Sequence, residues 1–223
     1  SLAFNYNTLA NTDNGACYFV TYVPDDNFEQ HLISLGLDSS PLNDSVLTAA
    51  IDTVKELHLN SKNISDLTGI EDFTALEYLN CQNNLPANFN AISSIDLSNN
   101  LLIEKVFCQG IQLSSLDVSN NLSLTDLNCA SNLLNSLNIS NNSALKWLQC
   151  NANSLDSLDL GVKPFFRYLK ADNNSLESID ASTCPNLKYF YLNNNNLNSL
   201  NFQNGNNTIV QQFKTYNNFN LSC

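Results

Sequence analysis

At 223 residues the chain is long enough for one large domain with a dry core. A formal net charge of −12 excludes binding of nucleic acid or an anionic membrane by the bulk surface. With 43% hydrophobic residues it is too apolar to be a disordered chain, yet no run approaches the ~18 apolar residues of a membrane span.

Met is absent throughout, position 1 included, as expected of a processed piece whose export signal is already gone. Residues 1–17 are rich in Asn and Thr and read as a tail or an additional edge strand. Residues 25–36 predict a helix: Asp25 or Asp26 caps it, Glu29 follows three residues after Asp26, and Gly36 stops it. Phe28, Leu32, Ile33 and Leu35 supply its apolar face, and residues 46–51 predict a second short helix. Residues 1–53 are therefore expected to form an N-terminal segment and helical cap, and 54–223 the body beneath it.

That body is periodic. With Leu124 as position 1, Leu127 is position 4, Cys129 position 6, Asn132 position 9, Leu134 position 11, Leu137 position 14 and Ile139 position 16. The pattern restarts at Val54, Leu76, Ile103, Leu124, Leu145, Phe166, Leu187 and Val210, in steps of 22, 27, 21, 21, 21, 21 and 23. The long second unit places Asn84 at position 9 and is expected to bulge over residues 85–91, where Pro86 replaces an apolar residue. Apolar positions 4 and 6 alternate with outward positions 3, 5 and 7, which is strand periodicity. Each coil thus adds one strand to a parallel sheet, and neighbours stack because no single coil can bury its apolar side. The Asn at position 9 ends the strand, its amide serving backbone groups where the chain turns inward. The second apolar run (Leu137, Ile139) is too short for a helix and predicts an extended back. At the far end Phe213, Phe219 and Leu221 are expected to close the core.

Cys108, Cys129 and Cys150 recur every 21 residues, and Cys81 holds the same place in the longer unit. Ala171, Leu192 and Thr215 fill that inward position elsewhere, so these thiols read as small core residues, neither metal ligands nor disulfide partners. Cys17, Cys184 and Cys223 stand outside the ladder. The two histidines, His31 and His58, accompany no recognisable nucleophile, and no hydrolase, zinc or phosphate-loop motif occurs. The expectation is a non-catalytic chain without cofactor or metal. The outward acids Glu56, Glu77, Glu104, Asp126 and Asp172 read as solvated charge. Asp96, Asp117, Asp159 and Asp180 share position 15 on the back, a solvated ridge with Ca²⁺ as the alternative.

The outward side of the sheet carries the functional signal. Trp147, Tyr168 and Tyr189 occupy position 3 of three consecutive units, with Tyr191 and Tyr216 close by and Phe107 and Tyr78 toward the N-terminal end. Seven of the nine basic residues also face outward on strands; Lys146, Arg167 and Lys188 share position 2 beside the rings, and Lys170 sits among them. Against five acids, this leaves the face near +2 on a body near −14. Clustered aromatics with Arg mark interfaces, for protein or for sugar. Cross-strand ring pairs also simply stabilise sheets, which is the structural alternative.

Residues 124–142 carry the form L-x-x-L-x-C-x-x-N-x-L-x-x-L-D-x-S-x-N, with only Asn138 at the usual Asp. The segment Tyr22, Val23, Pro24, Asp25, Asp26, Asn27, Phe28, Glu29 is similar to the start of an N-terminal cap. Over residues 22–223 the chain resembles bacterial leucine-rich-repeat surface proteins of the internalin-like and BspA-like kind, especially secreted ones of flavobacteria and their relatives. The resemblance implies a right-handed leucine-rich-repeat solenoid with one sheet of eight short parallel strands. It further implies a secreted or cell-surface monomer that mediates protein–protein interaction or adhesion, with a surface glycan as the alternative partner.

Overall fold

The computed structural model describes residues 18–84 and 89–221. The expectations for residues 1–17, Cys223 and Pro86 lie outside the described residues. The chain opens with β1 (Val20–Tyr22), α1 (Asp26–Ser34), β2 (Ser45–Leu47) and α2 (Thr48–Ile51). β1 and β2 pair antiparallel across α1, Val20 opposite Leu47, a small sheet that the sequence does not announce. Val46, expected in a helix, lies in β2, so the second helix is only the single turn of α2.

Asp25 is the N-cap of α1, one Oδ accepting from the Asn27 and Phe28 N–H groups at 3.0 and 2.9 Å. Its other oxygen accepts from the Ser65 N–H and hydroxyl and from the Asp66 N–H, tying the cap to the first coil. Burial alone would raise the Asp25 pKa, but these hydrogen bonds outweigh it and hold the carboxyl below its ordinary value. Glu29 does not form the expected capping box. It is fully buried and accepts from the Asn43 and Asp44 N–H groups at 2.8 and 3.0 Å, fastening the following loop instead. Phe28 and Leu32 are the helix residues that seal the stack, Phe28 lying against Phe73 with centroids 6.2 Å apart, while Leu35 points to solvent.

Below the cap run β3 (Glu56–His58), β4 (Tyr78–Asn80), β5 (Lys105–Phe107), β6 (Asp126–Asn128), β7 (Trp147–Gln149), β8 (Tyr168–Lys170), β9 (Ser178–Asp180), β10 (Tyr189–Tyr191), β11 (Ser199–Asn201) and β12 (Gln212–Lys214). Eight of them, all but β9 and β11, form one parallel sheet in chain order. The chain is a leucine-rich-repeat solenoid, one strand per coil. The register sets Leu127, Leu148, Leu169 and Phe190 side by side, all with zero exposure. Cys81, Cys108, Cys129 and Cys150 lie beside them, equally buried. The extended back is regular enough in two coils for β9 and β11 to pair as a small second sheet. At the far end Leu221 packs against the core and Phe213, one side still open, lies over Phe190 and Phe202 with centroids 5.5 Å from each, whereas Phe219, 92% exposed, does not take the closing place expected of it.

Two devices keep the coils in step. In seven of the eight coils position 8 turns the chain out of the strand in the left-handed region: Ser61, Gly110, Ser131, Ala152, Asn173, Asn194 and Asn217 have φ between 48° and 70°. Asn and Gly suit this conformation, whereas Ala152 does not. Ala152→Gly is expected to stabilise the fold by about 0.5–1 kcal/mol, the relief at Ala152 exceeding the entropy of an added Gly. A higher urea midpoint would show it; an unchanged or lower one would contradict the account.

Position 9 is the second device. Asn132 Nδ2 donates to the Cys108 and Cys129 carbonyls, and its Oδ1 accepts from the Ile111 and Leu113 N–H groups, spanning two coils. Asn153, Asn174, Asn195 and Asn218 repeat the paired donation down the stack, each accepting one N–H, from Leu134, Leu155, Leu176 and Leu197 in turn. In the long second unit the ladder residue is Asn90, not Asn84. Asn90 accepts from the Lys62 and Ile64 N–H groups and donates to the Leu59 and Cys81 carbonyls, while Asn84 is exposed.

A further asparagine column, not foreseen, lines the turn before each strand. Asn100, Asn121 and Asn142 are buried, and each donates to two carbonyls of the preceding coil. In the next coil the place falls to Lys163, whose fully buried ammonium donates to the Ile139 carbonyl at 2.9 Å. Burial pushes the Lys163 pKa down, partly offset by Cys184 and Asp159. Below its folded pKa, the native state therefore bears the cost of a desolvated charge that the unfolded state avoids. Above that value native Lys163 loses its proton first, and the cost fades as pH approaches 10.5. Lys163→Asn, which restores the column, is expected to raise the neutral-pH Tm by on the order of 3 °C. Its advantage over wild type should narrow in alkali; an advantage that grows there would refute the assignment.

Candidate functional site on the outward face of the sheet

Positions 3 and 5 of each strand point away from the core, and the parallel register aligns them in columns. The structure brings most of the expected aromatic residues into one file. Trp147 stacks on Tyr168 (centroids 5.5 Å, planes 23° apart), and Tyr168 meets Tyr189 at 5.9 Å and Tyr191 at 5.6 Å. Toward the cap Phe107 reaches over β6 to Trp147 at 6.1 Å and meets Tyr78 at 5.5 Å. His58, which the sequence reading passed over, extends the file by contacting Tyr78 at 5.1 Å. The signal was available, since His58 sits at outward position 5 of the first unit. Tyr216 stands apart, 60% exposed and without a ring contact among the described residues.

The strands hold these rings by burying one residue between two outward neighbours: Leu148 is buried while Trp147 and Gln149 are half-exposed. Hydroxyls at the rim are held by glutamines. Tyr189 donates to Gln211, Tyr191 donates to Gln212, and Gln149 donates to the Tyr168 oxygen. Burial, with Tyr191 beside it, raises the Tyr168 pKa and keeps it a neutral phenol.

Lys146 and Arg167 are exposed and Lys188 half-exposed on the flank of the file. Lys170 and Lys214 lie at position 5 on either side of Tyr191, and it is Lys214 rather than Lys170 that sits over a ring, 5.4 Å from the Tyr191 centroid. Asp172 is not the solvated acid expected. It is 7% exposed and accepts from the Asn193 N–H at 2.8 Å. Burial raises its pKa, with that hydrogen bond and the charges of Lys170 and Lys214 opposing. Position 7 lies where the strand ends, and the turn folds over it.

On the back, Asp96, Asp117, Asp159 and Asp180 each accept the N–H two residues on (Ser98, Ser119, Gly161 and Ser182) at 2.8–2.9 Å. The ridge is a column of turn caps. Hydrogen bonds from Ser98, Ser119 and Ser182 hold Asp96, Asp117 and Asp180 below the ordinary carboxylate pKa. Among the described residues the acids able to share an ion lie elsewhere, Asp26, Glu29 and Asp44 in the cap, and Glu29 there is already committed to two backbone N–H groups. No helix among the described residues is long and apolar enough to cross a membrane.

No protein-family model matches this sequence, and no curated protein does. Solved structures do resemble the fold. The functional domain of InlJ from Listeria monocytogenes, described as including a cysteine ladder, is 24% identical with a TM-score of 0.55, covering 80% of this chain and 48% of that one. A leucine-rich-repeat protein of Leptospira interrogans is 19% identical, TM-score 0.55, over 76% of this chain and 50% of its own. Internalin C2 of Listeria monocytogenes is 17% identical, TM-score 0.52, covering 78% and 86%. The chain thus spans about half the length of two of these three structures. What the likeness establishes is architecture: this is an internalin-like leucine-rich-repeat fold.

Proposed function

We propose that the chain is a non-catalytic binding module that engages a protein partner through the outward face of its eight-stranded sheet. Its role is interaction or adhesion at a bacterial surface or in the secreted pool. The observation that carries this reading is the continuous file of seven solvent-facing rings from His58 to Tyr191, each in contact with the next, on the outward face of the sheet. Aromatic clusters of this kind supply most of the energy of protein interfaces, with charged residues around them as a rim. A sugar platform fits less well, because a pyranose needs an open ring face. Here the rings lean on one another along the file, Trp147 and Tyr168 only 23° from parallel.

The test is the Trp147→Ala, Tyr168→Ala double variant. Each ring is a candidate for about 2 kcal/mol of binding energy, so capture of a surface partner, or cell adhesion, should fall by at least about thirtyfold. The melt should stay cooperative. Undiminished binding by the folded variant would refute the face, and binding of soluble glycans that quenches Trp147 would favour the sugar reading.

A further inference from the structure

The charges of the outward face are segregated along the solenoid. Strands β3 to β6 carry Glu56, Glu77, Glu104 and Asp126 with two bases, Lys55 and Lys105. Lys55 is already paired with Glu77 at 2.7 Å. From β7 onward the balance reverses. Lys146, Arg167, Lys188, Lys170 and Lys214 face outward against one acid, the nearly buried Asp172. None of these five cations makes an ion pair within 4.0 Å among the described residues. Lys146, Arg167 and Lys188 moreover stand in register at the entrances to adjacent strands, the Arg167 N–H donating to the Lys146 carbonyl and the Lys188 N–H to that of Arg167, with neighbouring chains about 4.8 Å apart along the sheet. Like charges directly opposite one another destabilise a sheet. An aligned triad with no counter-charge is a standing cost in the free protein that an anionic ligand removes.

From this arrangement we infer that the partner presents an acidic polypeptide segment to the β7–β12 half of the face. Its carboxylates lie over the Lys146, Arg167, Lys188 column, and its apolar side chains lie on Trp147 and Tyr168. The inference rests on the reading of the outward face as the contact surface and adds the chemistry and direction of what binds there. The acidic β3–β6 half repels the same segment, so the charge gradient fixes which way round the partner lies.

Trp147 is the sole tryptophan and adjoins Lys146, so its fluorescence reports directly on the site. Short synthetic peptides alternating Glu with Leu, Gln with Leu and Lys with Leu are titrated against wild type and against Lys146→Gln, Arg167→Gln, Lys188→Gln. The Glu/Leu peptide should bind wild type saturably at low salt and the triple variant about tenfold more weakly, a gap that closes as salt rises. A Gln/Leu peptide binding as tightly as Glu/Leu would overturn the acidic partner while leaving the aromatic face in place. Equal affinity of the Glu/Leu peptide for both proteins, a Lys/Leu peptide that matches it, or no response to any peptide would also overturn it. So would a sulfated polysaccharide that binds as well as Glu/Leu and ignores Trp147→Ala, which would point to a polyanionic glycan.

Discussion

Leu148→Asp is expected to unfold the middle of the solenoid. Leu148 has zero exposure and lies between Leu127 and Leu169 in the same register. Losing its apolar contacts costs about 2–3 kcal/mol. An unpaired carboxylate in that column costs several more. Together they approach the whole stability of a typical domain, about 5–15 kcal/mol. Because each coil touches only its neighbours, the damage should spread outward from β7. Amide exchange should therefore rise first in β6, β7 and β8. Lys146→Gln, one turn of the pleat away, is the control and should leave the melt within about 0.5 kcal/mol of wild type. A cooperative melt unchanged in Leu148→Asp would contradict the stacked core.

The second large effect is expected at Asn132. Its amide serves two N–H groups, of Ile111 and Leu113, and two carbonyls, of Cys108 and Cys129, all buried. Asn132→Leu keeps the branched shape, though not the smaller volume, and removes all four of these hydrogen bonds at once. Each orphaned buried group costs about 1 kcal/mol or more, so the loss should reach about 4 kcal/mol. Urea unfolding gives the number directly. A loss below 1 kcal/mol would mean that water replaces the side chain and that the ladder is ornamental. Asn132→Asp separates the two halves of the role: it retains the acceptor, loses the donors and buries a charge, so it should be no better than Leu.

The coils were legible because their signal is a period. Leu127, Leu148 and Leu169 lie 21 residues apart, and strand alternation fixes which neighbours face outward. The ring file followed, because register plus direction is geometry. What escaped was whatever the period does not encode. The insertion in the second unit could fall on either side of an Asn, and the choice of Asn84 was wrong. Asn90, Ala91, Ile92 keeps the Asn-x-apolar spacing that Asn84, Leu85, Pro86 lacks, so the clue was present. Asp172 escaped because alternation says where a side chain points and not what the following turn covers. Lys163 escaped because a lysine in a loop reads as solvated; only its alignment with Asn121 and Asn142 shows that it replaces a buried amide. The cap misled for another reason. Glu29 has capping-box spacing to Asp26, but the N-cap is Asp25, which puts Phe28 at the third position and leaves Glu29 to accept from the Asn43 and Asp44 N–H groups.

The row of thiols has a practical meaning. Burial pushes Cys81 and Cys129 up to about 12 and Cys108 and Cys150 well above their ordinary value, so none offers a thiolate to an oxidant or alkylating reagent while the stack is shut. Each becomes reactive only when its own rung parts from the next. The rate at which an alkylating reagent finds a given cysteine is then a local measure of how often that rung breathes, and the molecule carries four such clocks along its length.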